Sequence, residues 1–191
     1  SRGWTAEENR HGDLLNRYLY LTGRVDMRAV EVTIQYLIRN GFDPKHDSDP
    51  YNGLIYAAFQ ERATRISHGK IGQLSKNAGD SYLSGICNVI SGDEARHEEA
   101  YKNFVGKIIE LDPAGAVLSL RLMMERMIVM PAHSMYDGNN RNLFTEFSIV
   151  AQRMGVYTFE DYIQILDHFM KHWKIAALTH LTGEATAAQE Y

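Results

Sequence analysis

Two short segments of this 191-residue chain repeat one chemical pattern. Glu7-Glu8-Asn9-Arg10-His11 and Asp93-Glu94-Ala95-Arg96-His97 both read acid, Glu, any residue, Arg, His, and no other Glu-x-x-His occurs in the sequence. On a helix, residues three apart share a face, so each pair aims a carboxylate and an imidazole the same way. Both pairs interrupt apolar stripes. One runs Trp4, Glu8, His11, Leu15, Tyr18; the other runs Cys87, Ile90, Glu94, His97, Tyr101, Phe104, Ile108, Leu111. A carboxylate planted in a buried seam costs roughly several kcal/mol unless something compensates it. A bound cation is the simplest compensation.

A segment between the two adds a third carboxylate. Leu54, Ala57, Glu61, Thr64, His68 and Ile71 share one helical face, with Glu61 pointing inward. Two Glu-x-x-His helices plus a Glu from each of two further helices form the ligand set of ferritin-like di-iron or di-manganese bundles. Glu8, His11, Glu61, Glu94 and His97 supply five of those six ligands in the expected order. The sixth, a Glu on a helix preceding Trp4, is expected upstream of the chain's first residue. Carboxylate and imidazole donors without thiolate suit iron or manganese better than copper(I) or structural zinc. A lone Glu-x-x-His is more often a solvated pair; two of them on apolar stripes, separated by a helix with its own inward Glu, favour metal.

A metal-bound imidazole normally donates its other N–H to a carboxylate. Asp93 is the candidate acceptor for His11, and Glu7 is its counterpart for His97, with Arg10 and Arg96 balancing the two acids. His68 faces inward and reads equally as a core histidine or as a neighbour of the site. His46, His133, His168, His172 and His180 read as surface or structural. Met123, Met124, Met127 and Met130 read as a core stripe rather than as sulfur chemistry.

The elements that must position these residues are helices. Periodicity and stop signals place them at about Trp4–Leu21, Met27–Arg39, Gly53–Asn77, Ser81–Leu111, Pro113–Met130, Leu143–Met154 and Phe159–Ala177. Asp80 is expected to cap the fourth, Pro113 to open the fifth and Thr158 to cap the last. The stretch from Phe42 to Asn52 reads as a loop, Tyr136 to Asn140 as a turn, and Thr182 to Tyr191 as polar and weakly specified. No alternating segment bounded by hairpin turns suggests a strand. The expectation is one all-α domain over residues 1–191.

Composition narrows the function class. Hydrophobic residues make up 45% and charged residues 23%, which suits a packed domain and not a disordered chain. A net charge of −4 argues against a general nucleic-acid binder. The single cysteine, Cys87, excludes an intramolecular disulfide and a thiolate-rich metal site. No apolar run reaches the roughly 18 residues of a membrane-spanning helix. Ser1-Arg2-Gly3-Trp4 enters a helical pattern with no initiating Met, as though the chain is met part-way through, so any targeting segment is expected upstream.

With these residues in hand, the sequence resembles the soluble, plant-type acyl-[acyl-carrier-protein] desaturases. The resemblance lies in Trp4-Thr5-Ala6-Glu7-Glu8-Asn9-Arg10-His11-Gly12-Asp13-Leu14-Leu15, in Phe59-Gln60-Glu61-Arg62-Ala63-Thr64 and in Asp93-Glu94-Ala95-Arg96-His97-Glu98. It continues through Met130-Pro131-Ala132-His133-Ser134-Met135-Tyr136-Asp137-Gly138 and Val150-Ala151-Gln152-Arg153-Met154-Gly155-Val156-Tyr157-Thr158, spanning Trp4 to about Lys174. The resemblance implies an all-α, ferritin-like di-iron helical bundle with additional C-terminal helices. It implies two iron ions, with manganese as a substitute, bound by Glu8, His11, Glu61, Glu94 and His97. Thr64 would then lie on the oxygen side of the site, Trp4 and Asp93 just behind the ligands, and Pro44 and Gly53 at the wall of the acyl pocket. The implied reaction inserts a cis double bond into a saturated chain carried on acyl carrier protein, with O2 as oxidant and ferredoxin as electron donor. A homodimer is also implied, with no nucleic-acid partner, in the cytoplasm of a bacterium or the plastid stroma of a plant or alga.

Two departures from that family's pattern carry expectations of their own. Its members have helices ahead of Trp4, one bearing the sixth ligand, and an extension beyond Tyr191. Three carboxylates in place of four leave two Fe(II) under-neutralised, so this stretch by itself is expected to bind metal poorly. Two other readings stand beside the desaturase: a ferroxidase or radical-generating ferritin-like protein with the same ligands, and a metal-free helical protein acting through partner contacts.

Overall fold

The computed structural model describes residues 2–181 and 183–191, so Ser1 and Thr182, the ends of two segments considered above, lie outside the described residues. Within them the chain is all-α, with no β-strand: α1 (Arg2–Thr22), α2 (Met27–Asn40), α3 (Pro50–Asn77), α4 (Ser81–Leu111), α5 (Pro113–Arg126), α6 (Leu143–Arg153), α7 (Phe159–His172) and α8 (Glu184–Glu190), with 3-10 turns at Pro131–Ser134 and Ile175–Ala177. No helix is long and apolar enough to cross a membrane among the described residues.

The chain groups into two compact units, and the division falls inside α3 and α4, each of which is continuous. The first unit takes the chain up to Phe42, then Thr64–Glu94 and Pro131–Thr158. Here Asp80 caps α4 as expected, its Oδ1 accepting the Leu83 N–H at 3.0 Å, while its other oxygen accepts from the Tyr18 hydroxyl of α1 and from Arg24. That carboxylate therefore ties the start of α4 to the end of α1. Further along, α3 and α4 approach closely: a Cβ on Gly72 would meet Asn88 Oδ1 at 2.8 Å and the Cys87 Cβ at 3.4 Å. The Ser91 hydroxyl donates to the Arg65 carbonyl at 3.0 Å one side of this contact. Asp26 caps α2 through the Ala29 N–H, and Gly41, at φ +72°, closes it by donating to the Leu37 and Ile38 carbonyls.

The second unit takes Asp43–Ala63, Ala95–Met130 and the chain from Phe159 onward. Ile55, Ala58 and Phe59 of α3, Val105 and Ile109 of α4, Val117, Leu120 and Met123 of α5, and Ile165 and Phe169 of α7 are its buried apolar core. The Phe169 and Trp173 rings stack at 4.7 Å, and the indole N–H of Trp173 donates to the Lys102 carbonyl at 3.0 Å.

Four stretches differ from the sequence reading by three residues or more. α3 starts at Pro50, three residues early, because Asp49 caps it by accepting the N–H groups of Tyr51 and Asn52, with Pro50 at the first helical position. α5 stops at Arg126 instead of reaching Met130: Met127 turns to φ +56°, the Tyr162 hydroxyl accepts the Ile128 N–H, and Tyr56 and Gln60 donate to the Val129 carbonyl. Tertiary partners thus take the backbone groups a further helical turn would have used. The methionine stripe breaks there too, since Met123 is buried and Met127 is exposed. α7 stops at His172 and yields to Lys174 in the left-handed region before the short 3-10 turn. The tail read as weakly specified forms α8, which buries Ala185 and Ala188 and packs against α5, while the Gln189 amide donates to the Ile175 and Leu178 carbonyls.

The apolar stripe on α4 also needs correcting. Cys87 and Ile90 are fully buried and Glu94 and His97 nearly so, but Phe104 is 53% and Leu111 75% exposed, while Val105 and Ile109 are buried in their place. A straight helix has 3.6 residues per turn, so a seam stepped at 3.5 drifts by about 20° per heptad, or roughly 70° between Cys87 and Leu111. Alternating steps of three and four hold through the central turns and then walk off the core.

Candidate metal centre

α1 carries Glu8 and His11 on its inward face, since positions 4, 8, 11, 15 and 18 are covered while most of the intervening ones face water. α3 brings Glu61 and α4 brings Glu94 and His97, all three buried. Glu8, Glu61, Glu94 and His97 each present one ligand atom, and these atoms lie within 4.8 Å of one another, a group that could hold a metal ion. The fifth residue, His11, stands beside them. Its Nδ1 is 3.5 Å from Glu94 Oε1 and 3.8 Å from Glu8 Oε2. The pair formed by Glu61 and His97 is closer, with Oε2 and Nδ1 at 3.3 Å.

Two features test whether this donor set fits a cation. First, carboxylates within 4.8 Å repel by about 3 kcal/mol per pair at an effective dielectric of about 20, and there are three of them. Second, His11 is oriented by Asp93, whose Oδ2 lies 3.0 Å from the Nε2. When Nε2 carries the hydrogen and donates to Asp93, the Nδ1 lone pair faces two carboxylates. A divalent ion between them offsets the three mutual repulsions with attractions of its own and accepts that lone pair; a proton on Nδ1 would offset only one charge. The residues fit a cation held by oxygen and imidazole donors.

The surroundings keep other chemistry out. Cys87, two turns before Glu94 on α4, is fully buried, and burial pushes its thiol upward, so it stays protonated. Burial, and then the neighbouring His11, pull His68 down to about 4, so it is neutral at ordinary pH; it is half-covered on α3 with its Nδ1 buried. Glu7, expected behind His97, has Arg10 at 3.5 Å. Trp4 lies half-buried on the inward face of α1, and Thr64 half-buried one turn beyond Glu61. Pro44 sits in the loop before α3, and Gly53 lies in the first turn of α3, where an added Cβ would touch the His46 ring at 3.8 Å.

Sequence reading missed one pair. Arg62 and Glu98, each the next residue after a candidate ligand, form a 2.6 Å ion pair, with Glu98 only 3% exposed. Its signal was present: Glu98 is one turn beyond Glu94 and falls inside the arc that a 3.6-residue period buries. A strict alternation of three and four skips that position.

An all-α chain that gathers carboxylates and imidazoles from three helices has a donor set that could hold a metal ion, as helical bundles with oxygen and nitrogen ligands do. The chain belongs to the fatty acid desaturase family, whose profile it matches over residues 1–191, and its fold is all-α as in the ferritin-like class. It is 56% identical over 191 residues to the chloroplastic stearoyl-[acyl-carrier-protein] 9-desaturase of Simmondsia chinensis, covering 100% of this chain and 48% of that protein. Against the chloroplastic acyl-[acyl-carrier-protein] desaturase of Cucumis sativus the identity is 57%, and against stearoyl-[acyl-carrier-protein] 9-desaturase 5 of Arabidopsis thaliana it is 56%, with the same 100% and 48% coverage. The chain spans about half the length of these curated relatives.

Proposed function

We propose that this chain forms the metal centre of a di-iron acyl-[acyl-carrier-protein] desaturase, working as a single ferritin-like domain, and that it introduces a cis double bond into a saturated acyl chain. The observation that carries this reading is the gathering of Glu8, Glu61, Glu94 and His97 within 4.8 Å, three of them buried. The relatives' names, all acyl-[acyl-carrier-protein] desaturases, support the substrate class.

In this reading Glu8, His11, Glu61, Glu94 and His97 hold the metal. Iron there would supply the oxidising power, drawn from O2 and two ferredoxin electrons, that breaking an unactivated C–H bond requires. The chain's own residues orient and enclose. Asp93 fixes the ring of His11 so that Nδ1 faces inward. Glu94, cut off from water, would face a bound cation with little solvent to screen it. Glu7 balances Arg10 at the rim, Trp4 covers the start of α1, and His68 stays uncharged behind the site. Thr64 offers a hydroxyl on the side oxygen would approach, and Pro44 with Gly53 borders the acyl chain. No side-chain nucleophile or general base is required. Acyl carrier protein delivers the substrate, ferredoxin the electrons, and the working form is a homodimer. Manganese is the expected substitute for iron. The compartment would be the plastid stroma in a plant or alga and the cytoplasm in a bacterium.

The test is iron per chain after expression in iron-rich medium, followed by mass spectrometry of acyl carrier protein incubated with ferredoxin and O2. A loss of two mass units from the acyl chain, dependent on iron, is expected. Iron loading far beyond two ions per chain would instead mark a ferroxidase store, and failure to take up any iron would sink the reading.

A further inference from the structure

α3 and α4 are joined beside the candidate ligands by two adjacent rungs. The first is Glu61 to His97, Oε2 to Nδ1 at 3.3 Å; the second is Arg62 to Glu98, Nη1 to Oε1 at 2.6 Å. Along α3 the order is acid then cation; along α4 it is imidazole then acid. A slip of one residue, about 1.5 Å, would carry Glu61 onto Glu98 in one direction or Arg62 onto His97 in the other, setting acid against acid or cation against imidazole beside largely buried groups. Only one register satisfies both rungs.

Glu98 is as deeply buried as Glu94, and the Arg62 Nε is buried as well. His168 of α7 closes the far side, its Nε2 3.6 Å from the same Glu98 oxygen, and its ring stacks against His172. Burial and the Arg62 charge both hold His168 below its ordinary value, so it stays neutral and leaves Glu98 to Arg62. A buried ion pair of this kind adds little stability over apolar residues of the same volume; its best-attested use is to specify register.

We propose that the Arg62–Glu98 pair is a positioning device for the metal site, holding Glu61 and His97 at the separation at which they share an ion. The proposal rests on the metal-binding reading above. Its probe is cobalt(II), whose visible bands report coordination directly, titrated into the metal-depleted chain and into Glu98→Gln, Arg62→Met and the paired Arg62→Met/Glu98→Met variant. Each single variant should weaken cobalt binding by about tenfold or more and shift the bands. The paired variant is the discriminating one: it should melt at or above the wild-type temperature yet fail to recover cobalt affinity. Recovery of both stability and wild-type cobalt binding by the paired variant would overturn the proposal, since the pair would then only hold the fold together. Should the wild-type chain take up no cobalt, the metal reading fails by itself, and the pair is judged in the metal-free protein by NMR of the imidazole nitrogens. Glu98→Gln should then move the His97 resonances and leave those of His11, which Asp93 orients, in place; unmoved His97 resonances overturn the proposal.

Discussion

The two Glu-x-x-His turns are nearly identical in sequence and differ sharply in setting. On α1 the side chain of Glu8 keeps 34% of its exposure and Glu7 keeps 30%, and Arg10 lies in water. On α4 the side chain of Glu94 keeps 3% and Asp93 10%, and Glu98 beside them is buried too. Both turns aim a carboxylate and an imidazole inward, but α1 shows water its outer face, whereas the centre of α4 is covered on much of its circumference. The same five-residue pattern therefore carries different energetic consequences. Glu8 can shed part of its charge repulsion into solvent; Glu94 cannot, and is the carboxylate that most needs an ion beside it.

That contrast can be broken most directly at the ligands. Glu94→Ala should abolish measurable metal uptake, raising the dissociation constant more than a hundredfold, whereas Glu8→Ala should weaken it by a smaller factor, both read by cobalt titration. Equal losses would show that exposure does not separate the two turns. Next in size is the orienting acid. Asp93→Asn removes the charged acceptor from His11 and should lower metal affinity by about 10- to 100-fold, while Glu7→Gln, at a residue that pairs with the exposed Arg10, should change it by less than threefold. An unchanged affinity in Asp93→Asn would refute the role assigned to it.

Without metal the order of stability should invert. Glu94→Gln relieves buried repulsion and should stabilise the metal-free chain by about 1 kcal/mol or more, a rise of about 2–4 °C in melting temperature for a protein of this size. Glu8→Gln should shift it by less than half as much, as calorimetry would show. The smallest effect concerns the shared anchor of α1 and α4. The Leu83 N–H, then the Tyr18 hydroxyl and Arg24, hold Asp80 below the usual carboxylate range. A depressed value means its stabilisation is present above about pH 4 and is lost as pH falls through the folded value. Asp80→Ala should therefore lower the melting temperature near pH 7 and flatten its decline between about pH 5 and pH 2, touching both turns alike. An unaltered acid slope would remove Asp80 from the account.

Much of this was legible from residue order. The helices carrying Glu8, Glu61 and Glu94 announced themselves through periodicity, the cap at Asp80 through the small acid before its helix, and the start of α5 through Pro113, because those signals act between residues a few positions apart. Asp112 accepts the Gly115 N–H at 2.9 Å, with Pro113 in the first turn. The pairing of Asp93 with His11 was also foreseeable, from the rule that an oriented imidazole has an acceptor behind it. What failed depended on partners distant in sequence. Nothing near Met127 ends a helix; Tyr56, Gln60 and Tyr162 do, by claiming the backbone around Ile128 and Val129. Nothing in the Ala-rich tail signals α8 apart from the surface of α5 that covers it.

The sequence alone determined the helical class, the inward faces and which acids and imidazoles share them, since all three follow from a fixed 100° step per residue. Tertiary structure decided how deeply each carboxylate is buried, where α4 leaves its stripe, and that Arg62 meets Glu98. Those outcomes depend on which surfaces the folded chain brings together, and local periodicity carries no record of them.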